Sequence, residues 1–231
     1  MPVHHIIDPR GEVTLIVRNP NPPFAEVTPA DGSSGANDTN AEPSTEPSTG
    51  PSVSEPDTDG NQNEVRIQVS AKHLTFGSPV FNSMLDGNWK KSAESKAKGY
   101  LELVVRDWDV EALLMVLHIM HAQTSKVPRM VTLEEVAKVT VAADYYDVKE
   151  VELLCDVWLW LLESSFSQSA VSSRDTILLV WVAYATRCED TFAKYTTIAM
   201  EQATAPISAL GLPIPAGIIG KPIRDSNNVY L

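Results

Sequence analysis

Residues 64–85, E-V-R-I-Q-V-S-A-K-H-L-T-F-G-S-P-V-F-N-S-M-L, change period partway through. Up to Val69 the apolar residues Val65, Ile67 and Val69 alternate, which is the period of a strand with one buried face. After Ser70 the apolar positions Leu74, Phe76, Val80, Phe81, Met84 and Leu85 take helical spacing over their second half. Ser78-Pro79 suits an N-cap followed by proline at the first helical position. The stretch therefore reads as a strand, a corner carrying Lys72-His73, a short helical turn and a helix.

Upstream, E12-V-T-L-I-V-R18 is a second β-branched run, with Val13, Leu15 and Val17 on one face. Between the two strands the chain turns to Pro, Ser, Thr, Gly and acid. From Pro20 to Asn63 it has no Lys or Arg but carries eight carboxylates: Glu26, Asp31, Asp38, Glu42, Glu46, Glu55, Asp57 and Asp59. Such a composition has too little apolar surface to offset the entropy of ordering it, so residues at about 20–63 read as a disordered insertion. Two strands flanking it suggest an expanded hairpin, because each doubling of a flexible loop costs only about 0.6 kcal/mol.

Downstream, a polar break over residues 87–99 leads to a third strand, Y-L-E-L-V-V, with Leu101, Leu103 and Val105 on one face. Helix patterns follow. Asp107 or Asp109 caps one carrying Val110, Leu113, Leu114 and Leu117. Thr132-x-x-Glu135 is a capping box before Val136, Val139 and Ala143, and Asp147-x-x-Glu150 plays a similar part before Val151, Leu154, Cys155, Trp158 and Leu162. Ser173 precedes Ile177, Val180, Trp181 and Tyr184. A fifth helix starts near Asp190 and runs through Phe192, Tyr195 and Ala199. From Pro206 a Pro- and Gly-rich tail either docks on the helices or hangs free. The order of elements gives an α+β class, a small sheet packed on a cluster of helices.

These segments resemble the BTB/POZ family, and in particular the short BTB-only proteins of fungi. The resemblance is carried by V-T-L-I-V-R, by V-S-A-K-H-L-T-F-G-S-P-V-F-N-S-M-L, by Y-L-E-L-V-V-R-D-W-D-V-E-A-L-L-M-V-L-H-I-M-H, and by V-T-L-E-E-V-A-K-V-T-V-A-A-D-Y-Y-D-V-K-E-V. It covers roughly residues 12–19 and 64–163, with looser similarity in the helices to about 205. The organisation it implies is a BTB/POZ domain over 1–163 interrupted at about 20–63, a C-terminal helical extension over 164–205, and a tail over 206–231. It also implies a protein–protein interaction module that self-associates, and some members recruit the cullin scaffold of ubiquitin ligases. Upstream of the first strand stands M-P-V-H-H-I-I-D-P-R, which leaves no room for the long helix of domain-swapped BTB dimers. No kelch, MATH or zinc-finger region follows, so an adaptor's target would bind the insertion, the C-terminal helices or the tail.

Under this resemblance Lys72-His73 sits at the corner where a strand turns into the first helix, so His73 packs or hydrogen-bonds there and Lys72 is solvated. A general base would need an acid or nucleophile within reach, and the neighbouring segment supplies none by motif. His118 and His121 lie three apart on an apolar helix; two ligands without a matching motif read as helix-end packing and capping rather than metal. Asp144, Asp147, Glu150 and Glu152 cluster at a helix junction, where capping explains them better than a paired-carboxylate site.

No G-x-S-x-G, H-E-x-x-H, P-loop or G-x-G-x-x-G occurs, so neither catalytic residues nor a cofactor or metal site is expected. An enzyme whose site no motif announces is the remaining alternative. The candidate interaction or scaffold-corner residues are Lys72, His73, Leu74, Phe81, Met84, Leu85, Trp158 and Trp160. Because V-W-L-W-L-L is apolar nearly all round, it is expected to be covered by the C-terminal helix pair or by a second subunit.

The net charge of -12 over 231 residues and a pI near 4.8 argue against nucleic-acid binding. The N-terminus has no secretory pattern, and no apolar run is long enough to span a membrane. Cys155 and Cys188 stand far apart, outside any C-x-x-C, and read as free thiols of an intracellular protein.

Overall fold

A computed structural model describes residues 3–26, 64–91, 100–165, 171–203 and 206–219. Most of the acidic insertion, the polar stretch 92–99 and the last twelve residues, 220–231, lie outside the described residues. Strands β1 (Val3–Ile6), β2 (Val13–Arg18), β3 (Glu64–Val69) and β4 (Leu101–Arg106) form a sheet in the order β1-β3-β2-β4.

The expanded hairpin is present. β2 and β3 pair antiparallel with Val13 opposite Val69, Leu15 opposite Ile67 and Val17 opposite Val65, so the two alternating apolar rows share one face. β4 adds Leu101, Leu103 and Val105 to that face by pairing parallel with β2. All of these residues are buried. On the opposite face Ile16 lies in register between Arg66 and Val104 and is buried too. There Arg66 reaches Glu64 at 3.1 Å and Glu102 at 2.9 Å.

β1 was not legible in V-H-H-I, which is short and lacks alternation. It pairs parallel with β3, His4 opposite Arg66 and Ile6 opposite Gln68. β1 and β2 thus flank β3 on either side, and the turn between them passes over the end of β3 at Val69. Gly11 makes this crossing possible: a Cβ there would stand 2.3 Å from the Val69 carbonyl oxygen. The Gly11 N–H donates to Asp8 O at 2.9 Å, and Gln68 Nε2 donates to Gly11 O at 3.0 Å. Gly11→Ala is expected to cost about 1–3 kcal/mol, because backbone rather than a yielding side chain must move. Chemical denaturation of the two proteins measures it.

Helices α1 (Ala71–Gly77) and α2 (Pro79–Lys91) meet at Ser78. Its Oγ accepts the Phe81 N–H at 3.0 Å, the expected N-cap, and donates to the Tyr146 carbonyl on another helix. α2 continues through Gly87, where a break was expected. One helical glycine costs about 1 kcal/mol, which by itself does not end a helix. Asp109 caps α3 (Val110–Met120) by accepting from Ala112 N. Thr132 and Glu135 close the capping box of α4 (Leu133–Tyr146).

Asp147 departs from expectation. It ends α4 in the left-handed region at φ 52° instead of opening the next helix, a conformation Asp tolerates better than most residues. A 3-10 turn, Lys149–Val151, then leads into α5 (Glu152–Ser165). Ser172 caps α6 (Ser173–Ala185), and α7 (Glu189–Gln202) and the short α8 (Ala216–Ile219) follow.

The buried side chains form one continuous cluster from the sheet through α4 to α6. Trp181 on α6 is fully buried and donates its indole N–H to Ala137 O on α4 at 3.4 Å. The segment from Pro206 docks, burying Leu212 and Ile214.

Residues 20–26, assigned above to the loose insertion, are held in place. The Asn21 N–H donates to Trp108 O, and Asn21 Oδ1 accepts from Val110 N at 2.9 Å. Arg174 donates to Ala25 O at 3.0 Å and Phe24 O at 3.3 Å, and its guanidinium pairs with Glu134 at 2.7 Å. Lys138 joins Glu134 and Asp109 at 2.9 Å each and lies over the Phe24 ring. The two cations hold the Glu134 carboxyl below its ordinary range, Lys138 contributing most. Backbone groups satisfied by Trp108 and by Arg174 of α6, together with the Asn21 side chain accepting from α3 and Lys138 of α4 over the Phe24 ring, offset the ordering entropy that composition alone could not.

Candidate protein-binding surface

At the strand-to-helix corner, Lys72 and His73 are exposed on α1, and the His73 ring stacks on His121 at 4.7 Å between centroids. His121 closes α3 and is buried. Its Nε2 accepts the Ser70 N–H at 3.1 Å, so the proton sits on Nδ1, which donates to Leu117 O at 2.7 Å. His118 instead contacts Gln123, whose Nε2 donates to Ile7 O at 2.9 Å. The two histidines thus hold the α3 terminus to the sheet, and among the described residues no group of three or more His, Cys, Asp or Glu is placed to hold a metal ion.

Burial pushes the His121 pKa below its ordinary value of 6.5, against the opposing pull of the Leu117 hydrogen bond. The unfolded chain therefore binds a proton that the folded chain refuses. The stability tied to neutral His121 is fully present above about pH 6.5 and is lost as the pH falls toward the lower folded value. Denaturation midpoints taken from pH 7.5 to 5 should decline by up to about 1.4 kcal/mol per unit of separation, and less steeply in His121→Gln.

Of the other candidates, Leu74, Phe81 and Leu85 are core, and Met84 is half-buried. Phe81 stacks face to face on Tyr146 at 4.1 Å. Leu74, Phe81 and Leu85 build the scaffold. Phe76, on the outer side of α1, is 89% exposed.

α5 divides its apolar residues between two faces. Cys155, Trp158 and Leu159 point inward, and Trp158 Nε1 donates to Pro128 O at 3.2 Å. Leu153, Val157 and Trp160 lie at i, i+4 and i+7 and are 74%, 49% and 69% exposed. The C-terminal helix pair does not cover this row, contrary to one of the two expectations above. α6 lies along α4 instead, drawn there by Trp181. An apolar-all-round helix announces two buried faces, but nothing in the sequence says whether the chain itself supplies the second cover.

Beside the exposed row stand Glu152, Asp156 and Glu163. Glu163 is engaged by Lys194 at 3.1 Å and by the Thr191 hydroxyl at 3.3 Å. Burial, with the neighbouring charge of Glu152, raises the Asp156 carboxyl. Behind this edge a cavity of about 30 Å³ is lined by Asp144, Lys149, Glu152, Cys155 and Thr186 among others. Burial pushes the Cys155 thiol up to about 12, so it is a neutral packing group and not a nucleophile.

A mixed sheet on a helical cluster, with core-locked corners and an apolar helix face left open, has the character of a binding module. Residues 61–159 match the family model of the BTB/POZ domain. BTB/POZ domains are in general non-catalytic protein–protein interaction modules, and the sheet-on-helices architecture here is the α+β fold expected of them. The matched stretch begins just before β3 and ends within α5, while β2, at the centre of the sheet, precedes it. No curated protein matches the chain.

Proposed function

We propose that this chain is a non-catalytic interaction module of BTB type that acts inside the cell as a scaffold or adaptor, binding other proteins and a second copy of itself. The observation that carries the partner-binding part of this reading is the row Leu153, Val157 and Trp160, three large apolar side chains presented on one face of a helix whose other face is locked into the core. The BTB/POZ match supplies the class of partner, which is protein.

Quantitative affinity purification of the full chain from cells, run beside Leu153→Asp/Trp160→Asp, tests the reading. A reproducible protein set recovered by the native chain and depleted in the variant is the expected result. A cullin in that set would specify an adaptor of a ubiquitin ligase. Light scattering during size exclusion should give a mass near twice 25.3 kDa. Recovery of nothing above background, together with a monomeric mass at every concentration, overturns the reading.

A further inference from the structure

The outer face of α5 has a polarity that restricts what can sit on it. Around the helix axis, Glu152, Asp156 and Glu163 fall together along one edge of the Leu153–Val157–Trp160 row, at 100° per residue. Of the nearby cations, Lys194 is engaged by Glu163 at 3.1 Å and Lys149 by Asp147 at 2.6 Å; Arg187 stands in the turn after Thr186. No ion pair forms at Glu152 or Asp156 among the described residues. The edge is therefore negative at Glu152 and Asp156, beside an apolar row, with Glu163 alone paired to a cation.

Resting on the reading of this chain as a binding module, we propose that the α5 face receives an amphipathic helix of a partner protein, with apolar residues at helical spacing bordered on one side by Lys or Arg. Charge complementarity selects this occupant. A second copy of α5 is a poor match, since Glu152–Ser165 contains three acids and no Lys or Arg, so like edges would meet without a cation between them. An anionic lipid surface is repelled by the same edge. The row spans two helical turns, about 10 Å, and its anchors repeat at the spacing of another helix's ridges, so a partner helix can interdigitate with it.

The test uses the full chain and a fluorescein-labelled helical peptide bearing Leu at i, i+3, i+4 and i+7 with Lys along one edge, and a second peptide with Glu in place of each Lys. Fluorescence anisotropy at 0.15 M salt should show the Lys peptide binding at least tenfold more tightly than the Glu peptide. Leu153→Ala/Trp160→Ala should weaken the Lys peptide at least tenfold, and Glu152→Lys/Asp156→Lys should invert the preference. Leu153, Asp156 and Trp160 are exposed and Glu152 is half-buried in the first turn, so unchanged circular dichroism and melting temperature are required of each variant to verify the fold.

Equal affinity of native chain and both variants for the Lys peptide would place that binding elsewhere and overturn the proposal. So would an unaltered preference after the charge reversal. Either failure, set beside affinity purifications that still recover partners, would leave the interaction-module reading intact while removing the α5 proposal.

Discussion

Trp181→Ala is expected to lower the free energy of unfolding by about 3–5 kcal/mol, the range for deleting a large aromatic side chain from a packed core. Trp181 is fully buried on α6, and its indole N–H reaches back to Ala137 O on α4. Leu178, Leu179, Val182 and Ala183 around it belong to the same cluster that holds Val13, Leu15 and Ile67 of the sheet. The loss should therefore be felt by the whole molecule. Urea denaturation followed by far-ultraviolet circular dichroism should show one transition moved to lower denaturant with little change in slope. Two resolved transitions, or a loss below about 1 kcal/mol, would mean that α6 and α7 form a separately stable unit.

Ser78→Ala carries the second large effect, roughly 1.5–5 kcal/mol. Two costs combine: the lost N-cap of α2, about 0.5–2 kcal/mol, and a buried Tyr146 carbonyl left without its donor, about 1–3 kcal/mol. Thr132→Ala is the informative comparison, because its capping box is exposed and water can replace it. That substitution should cost about 1 kcal/mol. Equal losses at the two sites, measured by the same denaturation experiment, would show that burial of the Ser78 hydroxyl contributes nothing beyond capping.

What the sequence disclosed was mostly local. The apolar rows of β2, β3 and β4 follow from alternation within six residues each, and the caps at Ser78, Asp109 and Thr132 from a side chain and a backbone amide three residues on. What it concealed was decided at a distance. The segment 20–26 is fixed by Arg174, 149 residues beyond Ala25. β1 exists because a glycine lets its turn cross the end of β3. Asp147 has chemistry suited to either end of a helix, and only the path of the chain selects one. Trp160 shares an apolar helix with Trp158, and the choice of which is covered lies with α6, whose own preference is for α4. The corner histidine found from sequence, His73, is the exposed member of its stack; His121, the buried one, makes both backbone bonds.

The order of strands in the sheet bears on how the protein is made. β2 occupies the interior, between β3 and β4, yet the ribosome delivers it well before either neighbour. At about 5–20 residues per second, β3 trails it by seconds, and β4 by longer. During that interval V-T-L-I-V-R has two unsatisfied edges, and a short β-branched run in that condition adheres to others like it. The residues synthesised next, from Pro20 to Asn63, carry eight carboxylates, no Lys or Arg, and prolines throughout. Mutual repulsion among nascent chains thus arrives just as the bare strand needs protection. Shortening that stretch should reduce soluble yield more than it alters the stability of whatever has already folded.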